Sequence, residues 1–355
     1  IAPLAIGIAV LFATPAYAHG IGERYDLPVP LNYFLVGAAA TVAVSFFLIG
    51  LFVGRKQQFH RYPRYNLLSS VFLKSTYFNK AMIYVVKLIS VALFVITLAT
   101  AILGNNSPID NFAPTFVWII FWVGMGFITV LIGDIWTIVN PWKIIYEWVE
   151  QLIGNAKTQP PSSIVRYPIF LDMWPGVLLF FGFVWIENVY SGGAKPLNLG
   201  ILISVYSIVT WMGIVIFGKY NWLRYGEVFS ILFGYFARLS PIEFRVSHSD
   251  SCNMCEQNCV PDNDGGCVDC YECFDSADGI HRQLNIRPYF VGLYRSENVS
   301  SAATFFVIIV LASVTFDGLT ATRLWLDFQN AIYPITEPLG LNTSGYKSNN
   351  LNIPN

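Results

Sequence analysis

Six cysteines fall between residues 252 and 273, spaced Cys252-x2-Cys255-x3-Cys259-x7-Cys267-x2-Cys270-x2-Cys273. Thiolates at two-residue gaps can turn toward one ion, so the C-x2-C pairs 252/255 and 267/270 suit a closed tetrahedral zinc site. Asp262, Asn263, Asp264, Gly265 and Gly266 supply turn chemistry between the pairs. Four thiolates also suffice for an iron–sulfur cluster, and Cys267-x2-Cys270-x2-Cys273 matches part of a ferredoxin run, without its fourth Cys-Pro. Disulfides or free thiols are the remaining alternative, favoured if the segment faces an oxidising compartment. A four-thiolate zinc leaves no open position, so the cysteines read as a structural staple and a docking surface for a protein partner. The surrounding acidic residues, among them Asp269, Glu272 and Asp275, read as solvating side chains.

The second candidate group joins Glu187, Asp317 and His19. Two carboxylates and an imidazole could activate a water directly or through a metal. If the chain is cut after Ala18, His19 becomes an N-terminal amine plus imidazole, a pair suited to copper. Lys87, Asp134 and Asp172 lie at similar depth, and a buried Lys–Asp pairing between helices is expected from them. The sequence holds no nucleophile elbow, phosphate loop, H-E-x-x-H or dinucleotide fingerprint.

The elements that must position these groups are membrane helices. The chain has 355 residues, of which 55% are hydrophobic and 12% charged. Soluble domains carry about twice that charge. The net charge of −1 gives no electrostatic footprint for nucleic acid. Apolar runs at 31–54, 81–103, 114–138, 168–190, 198–218 and 301–322 are long enough to cross a bilayer, and are continuous rather than alternating. The fold class is therefore an all-α polytopic bundle of six spans. Trp136, Trp142, Trp174 and Tyr190 sit at span ends, as interfacial anchors would. Residues 142–153 read as an interfacial helix; 222–239 read as either a headgroup-layer helix or a re-entrant element.

Residues 1–18, ending Ala16-Tyr17-Ala18, read as a signal peptide. Segments 55–80, 139–167 and 219–300 hold sixteen of the 21 Lys and Arg residues. That bias predicts an outer N-terminus and a cytosolic cysteine loop in a plasma-membrane protein. The expected organisation is a signal peptide (1–18), five spans with interfacial helices (19–246), a metal-binding loop (247–286), a sixth span (287–323) and an outer polar tail (324–355). The start at Ile1 and the polar end read as those of a fragment.

The stretch AHGIGERYDLPVPLNYFLVGAAA (18–40), the NPW at 140–142, RPYFVGL (287–293) and VTFDGL (314–319) resemble the membrane-bound fenitrothion hydrolases. The resemblance runs through most of the chain and implies hydrolysis of an organophosphorus triester. It brings no catalytic residues with it, and the cysteine segment is not part of it.

Overall fold

The computed structural model describes residues 62–70, 80–153, 163–190, 192–247, 266–294 and 299–320, with isolated positions between 36 and 47 and between 322 and 332. In chain order the elements are β1 (Tyr65–Asn66), α1 (Lys80–Leu103), α2 (Phe112–Leu131), α3 (Trp136–Val139), α4 (Pro141–Ile153), α5 (Trp174–Asn188), α6 (Pro196–Phe217), α7 (Lys219–Tyr225) and α8 (Val228–Ala237). There follow β2 (Ile242–Val246), β3 (Cys267–Val268), α9 (Tyr271–Ser276), β4 (Arg282–Ile286) and α10 (Ser301–Thr320).

Among the described residues, five helices are long and apolar enough to span a bilayer: α1, α2, α5 with the turn before it, α6 and α10. The protein is thus mostly helical, as expected. Their outward faces carry large apolar side chains, such as Val95 and Ile96 on α1 and Phe181 on α5, which suits lipid rather than water. The remaining expected span, 31–54, lies almost wholly outside the described residues; positions 36, 39, 40, 43 and 47 are helical. Residues 1–18 and His19 also lie outside them.

Lipid gives helices no hydrophobic reason to associate, so close approach of small residues matters. Gly213 on α6 lets the Trp222 ring lie so near that a Cβ there would stand 2.2 Å from it. Gly218 follows with φ +86°, a left-handed turn that ends α6 and starts α7. Within α2, Phe116–Gly124 wind as a π-helix, a form that often marks functional sites.

Segment 222–239 is not a surface element. It forms α7 and α8, and Val228, Phe229, Ile231, Leu232 and Phe233 are buried against Trp136, Trp142, Val177, Phe180 and Phe306. The packing places α8 inside the helical bundle rather than on its surface. Trp136 and Trp142 correspondingly belong to the core rather than to an interfacial belt, at 3% and 5% exposure. Trp174 and Tyr190 remain exposed at the helix ends. Helix α4 does run along the surface, with Val149, Leu152 and Ile153 facing outward.

The helices carry a small four-stranded antiparallel sheet, in the order β1-β4-β2-β3, that the all-helical reading did not anticipate. Its centre is an ion pair. Glu243 on β2 is fully buried and meets Arg287 at 3.1 Å and Arg64 at 2.7 Å, with hydrogen bonds from Tyr62 and Asn285. The Arg287 guanidinium also donates to the carbonyls of Ala237 and Ser240, where its charge complements the C-terminal end of α8. This ties the sheet to the bundle through the first residue of the RPYFVGL stretch. Asp269 pairs with Arg287 at 3.6 Å and accepts from the Phe244 amide, so it is structural rather than solvating.

Candidate functional site

The thiol site is built from β3, the turn after it and the first turn of α9. β3 pairs with the end of β2, setting Cys267 opposite Val246; Cys270 begins α9 and Cys273 lies one turn on. The Sγ atoms of Cys267, Cys270 and Cys273 lie within 4.8 Å of one another, and those of Cys267 and Cys273 are 3.5 Å apart. A zinc–sulfur bond of about 2.3 Å in a tetrahedron separates two sulfurs by about 3.8 Å. The trio could therefore hold a metal ion. The expected pairing of two C-x2-C units leaves Cys273 aside, whereas the helical turn brings it in. Cys252, Cys255 and Cys259, the other expected ligands, lie outside the described residues.

Tyr271, inside this trio's sequence, donates a short hydrogen bond to Asp134 in the unwound segment between α2 and α3. Asp134 is 3% exposed, and burial pushes its carboxyl up to about 6, against the hydrogen bonds from Tyr271 and Thr137. The Tyr271 phenol thus joins the thiol site to the segment that links two helices of the bundle. The Lys–Asp pairing expected around Lys87 is not formed. Lys87 meets Glu147 on α4 at 2.8 Å, because the surface helix brings a nearer carboxylate. Asp172 turns through a left-handed φ of 41°, and its backbone carbonyl accepts from Tyr167.

Glu147 has three lysines about it: Lys87 at 2.8 Å, Lys219 at 3.3 Å and Lys143 at 4.0 Å. Burial alone would raise its carboxyl, but Lys143, Lys219 and Lys87 outweigh that and bring it down to about 2. Lys143 in turn reaches Asp275 at 3.6 Å, and Tyr220 donates to the same carboxylate. Asp275 is therefore another acidic residue with a partner.

The most heavily coordinated group in the bundle is one that sequence reasoning missed. Glu227 caps α8 and is 0% exposed. Its Oε1 accepts from Tyr206 at 2.6 Å and from the Phe229 amide at 3.1 Å. Its Oε2 accepts from the Ser230 amide at 2.7 Å, Trp136 Nε1 at 3.1 Å and Asn140 Nδ2 at 3.2 Å. No lysine or arginine pairs with it among the described residues; the helix N-terminus and five donors offset its charge. The available signal was the G-E-V-F-S stretch, an acidic residue directly before an apolar helix.

Two cavities meet the donors of Glu227. The first, of about 660 Å³, is apolar and lined by Trp118, Phe121, Trp136, Trp142, Tyr206 and Phe229 among others. The second, of about 340 Å³, is mixed in polarity and lined by Asn140, Lys143, Ser230, Arg238, Cys270 and Tyr271 among others. Trp136 and Tyr206 wall the first, Asn140 and Ser230 the second, so the Glu227 cap stands in the partition.

Of the carboxylates proposed for water activation, Glu187 ends α5 and accepts from Trp122 Nε1 of the π-helical segment at 2.6 Å. Asp317 lies in the last turn of α10, half-buried, its carbonyl accepting from Thr320. Neither lines the apolar cavity among the described residues. No protein-family model, curated protein or solved structure matches the chain.

Proposed function

We propose that the chain is a membrane-embedded binding protein for a lipophilic molecule, which the apolar cavity accepts from the bilayer. The observation that carries this is the cavity's wall: six aromatic rings from five separate elements, closed on one side by a short helix whose polar end is capped within the bundle. The discontinuous run α2–α3–α4 and the half-length α8 support it further. Irregular backbone at membrane depth occurs where it is covered by protein or lines a site, and carriers build sites on such half-helices. In this reading the N-terminus is outside, and the cysteine loop lies in the cytosol of a plasma-membrane protein, following the basic residues. The thiol trio holds zinc as a staple for the sheet and a docking surface for a protein partner. The sulfur separations support a single ion over an iron–sulfur cluster, whose thiolates sit on different irons.

The resemblance to fenitrothion hydrolases supports a second reading, in which the bound lipophile is an organophosphorus triester. Glu187, oriented by Trp122, would then act with Asp317 and His19 on a water, His19 being the place for a copper ion.

One variant tests the binding reading. Gly182 lines the cavity, and a Cβ there meets nothing within 4 Å. Gly182→Phe projects a ring into the space without disturbing the helix. Quenching of the cavity tryptophans by a brominated alkyl ester should weaken at least about tenfold in this variant. Equal quenching in both proteins sinks the proposal. Release of the phenol from an aryl phosphotriester, lost in Glu187→Gln and Asp317→Asn, would establish the hydrolase; binding without release leaves the carrier.

A further inference from the structure

We infer that the part of the ligand held in the apolar cavity is pure hydrocarbon, an alkyl or polyene chain with no oxygen or nitrogen along its enclosed length. This rests on the cavity being a lipophile site and names the chemistry of the occupant. Three observations lead to it.

The first is that the donors of the wall are spent. Among the described residues, six lining side chains carry an N–H or O–H group: Ser90, Thr97, Trp118, Trp136, Trp142 and Tyr206. All six donate to the protein. Ser90 and Thr97 reach the carbonyls of Val139 and Leu93, and Trp118 reaches that of Gly193. Trp142 donates to Ser207 at 2.8 Å, while Trp136 and Tyr206 hold Glu227. A ligand carbonyl or ether oxygen would leave its own donors and find none here, a costly exchange.

The second is that the polar wall groups have structural tasks. Pro141 has no N–H for the Thr137 carbonyl, and the Lys143 amide turns to Asn140 Oδ1. Lys143 Nζ donates to the Thr137 carbonyl from outside the wall, and Ser90 donates to that of Val139 from within it. The Ser90 hydroxyl thus mends the backbone break between α3 and α4. Thr97 bonds back into its own helix, and Tyr206 and Trp136 hold the cap of α8.

The third is charge and access. No Asp, Glu, Lys, Arg or His lines the cavity among the described residues. Ile89, Ile128, Leu178 and Val205, from four spanning helices, line it and remain exposed. A cavity walled this way suits a chain that arrives from the hydrocarbon layer and trades one apolar medium for another.

The full chain in detergent decides this, with quenching of the cavity tryptophans by three probes. They are a brominated alkane, the same chain with a ketone at its middle, and the brominated alkyl ester, whose carbonyl lies at one end. The alkane should bind at least about fivefold more tightly than the ketone. Thr97→Val keeps the side chain's shape and should leave that ratio within about twofold. Gly182→Phe should weaken the alkane at least about tenfold, which places it in the cavity. Equal binding of alkane and ketone overturns the hydrocarbon assignment while the lipophile reading stands. A ratio that widens in Thr97→Val also overturns it, because a wall hydroxyl would then be serving the ligand. If neither the alkane nor the ester quenches, or if Gly182→Phe leaves both unchanged, the lipophile reading itself has failed.

Discussion

Substitution of Glu227 by glutamine tests the partition between the two cavities most directly. The change keeps shape and size but turns one carboxylate oxygen into an NH2 group. If the amide nitrogen replaces Oε1, it faces the Tyr206 hydroxyl and the Phe229 amide; if it replaces Oε2, it faces the Ser230 amide, Trp136 and Asn140. Either way at least two buried donors lose their acceptor. The Tyr206 hydroxyl can rotate to relieve one, but the backbone and indole N–H groups cannot. An unsatisfied buried donor costs roughly 1–3 kcal/mol, and the amide settles with its nitrogen at the Oε1 position, where Tyr206 can rotate and one to two donors stay unmet, so the loss is about 2–4 kcal/mol. At about 2–4 °C per kcal/mol, the melting temperature falls by around 10 °C. Thermal unfolding of the detergent-solubilised protein, followed by tryptophan emission, measures it. Tyr206→Phe removes one donor to Glu227 and the acceptor of the Val228 amide, and leaves the carboxylate's four other donors in place, so it should lower the melting temperature by no more than Glu227→Gln does. A Glu227→Gln protein melting within about 2 °C of the parent would refute the reasoning, because the five-donor cap would then not hold α8 in place.

Elemental analysis of purified protein should find about one zinc per chain, lost in Cys267→Ser and Cys273→Ser; metal retained in both excludes the trio as ligands. Asp134 gives a pH signature. Its folded value of about 6 lies above the unfolded value of 3.8, so the stability it contributes is complete below pH 4 and is lost as pH rises through 6. The difference is about 3 kcal/mol, and Asp134→Asn should flatten the melting profile between pH 4 and about 7; an unchanged profile contradicts the burial argument. Arg287→Met strips a fully buried partner from Glu243 and two carbonyls at the end of α8, and should cost about 3–5 kcal/mol. Proteolysis should then open the Ile242–Val246 strand first; equal protease resistance would count against the sheet-to-bundle tie.

The amino-acid sequence by itself determined the membrane spans among the described residues, because crossing hydrocarbon demands length and apolarity that no distant residue can supply. The spacing marked the cysteines as candidate ligands, but the strand, the turn and the helical turn that gather Cys267, Cys270 and Cys273 belong to the fold. Tertiary structure alone decided the rest. Glu227 looks like an ordinary acidic residue before a helix, and becomes a hub only because Tyr206, Trp136 and Asn140 arrive from three other elements. Lys87 chose Glu147 over Asp134 because α4 folds back along the bundle, which no helical period encodes. Trp136 and Trp142 are the residue type of interfacial anchors, yet packing against the buried α8 draws them inward. The sheet escaped notice because its strands are short and lie far apart in the chain, and an antiparallel ladder between residues 65 and 286 leaves no local pattern. Spans follow from what each segment must do in lipid, whereas sites follow from which segments meet.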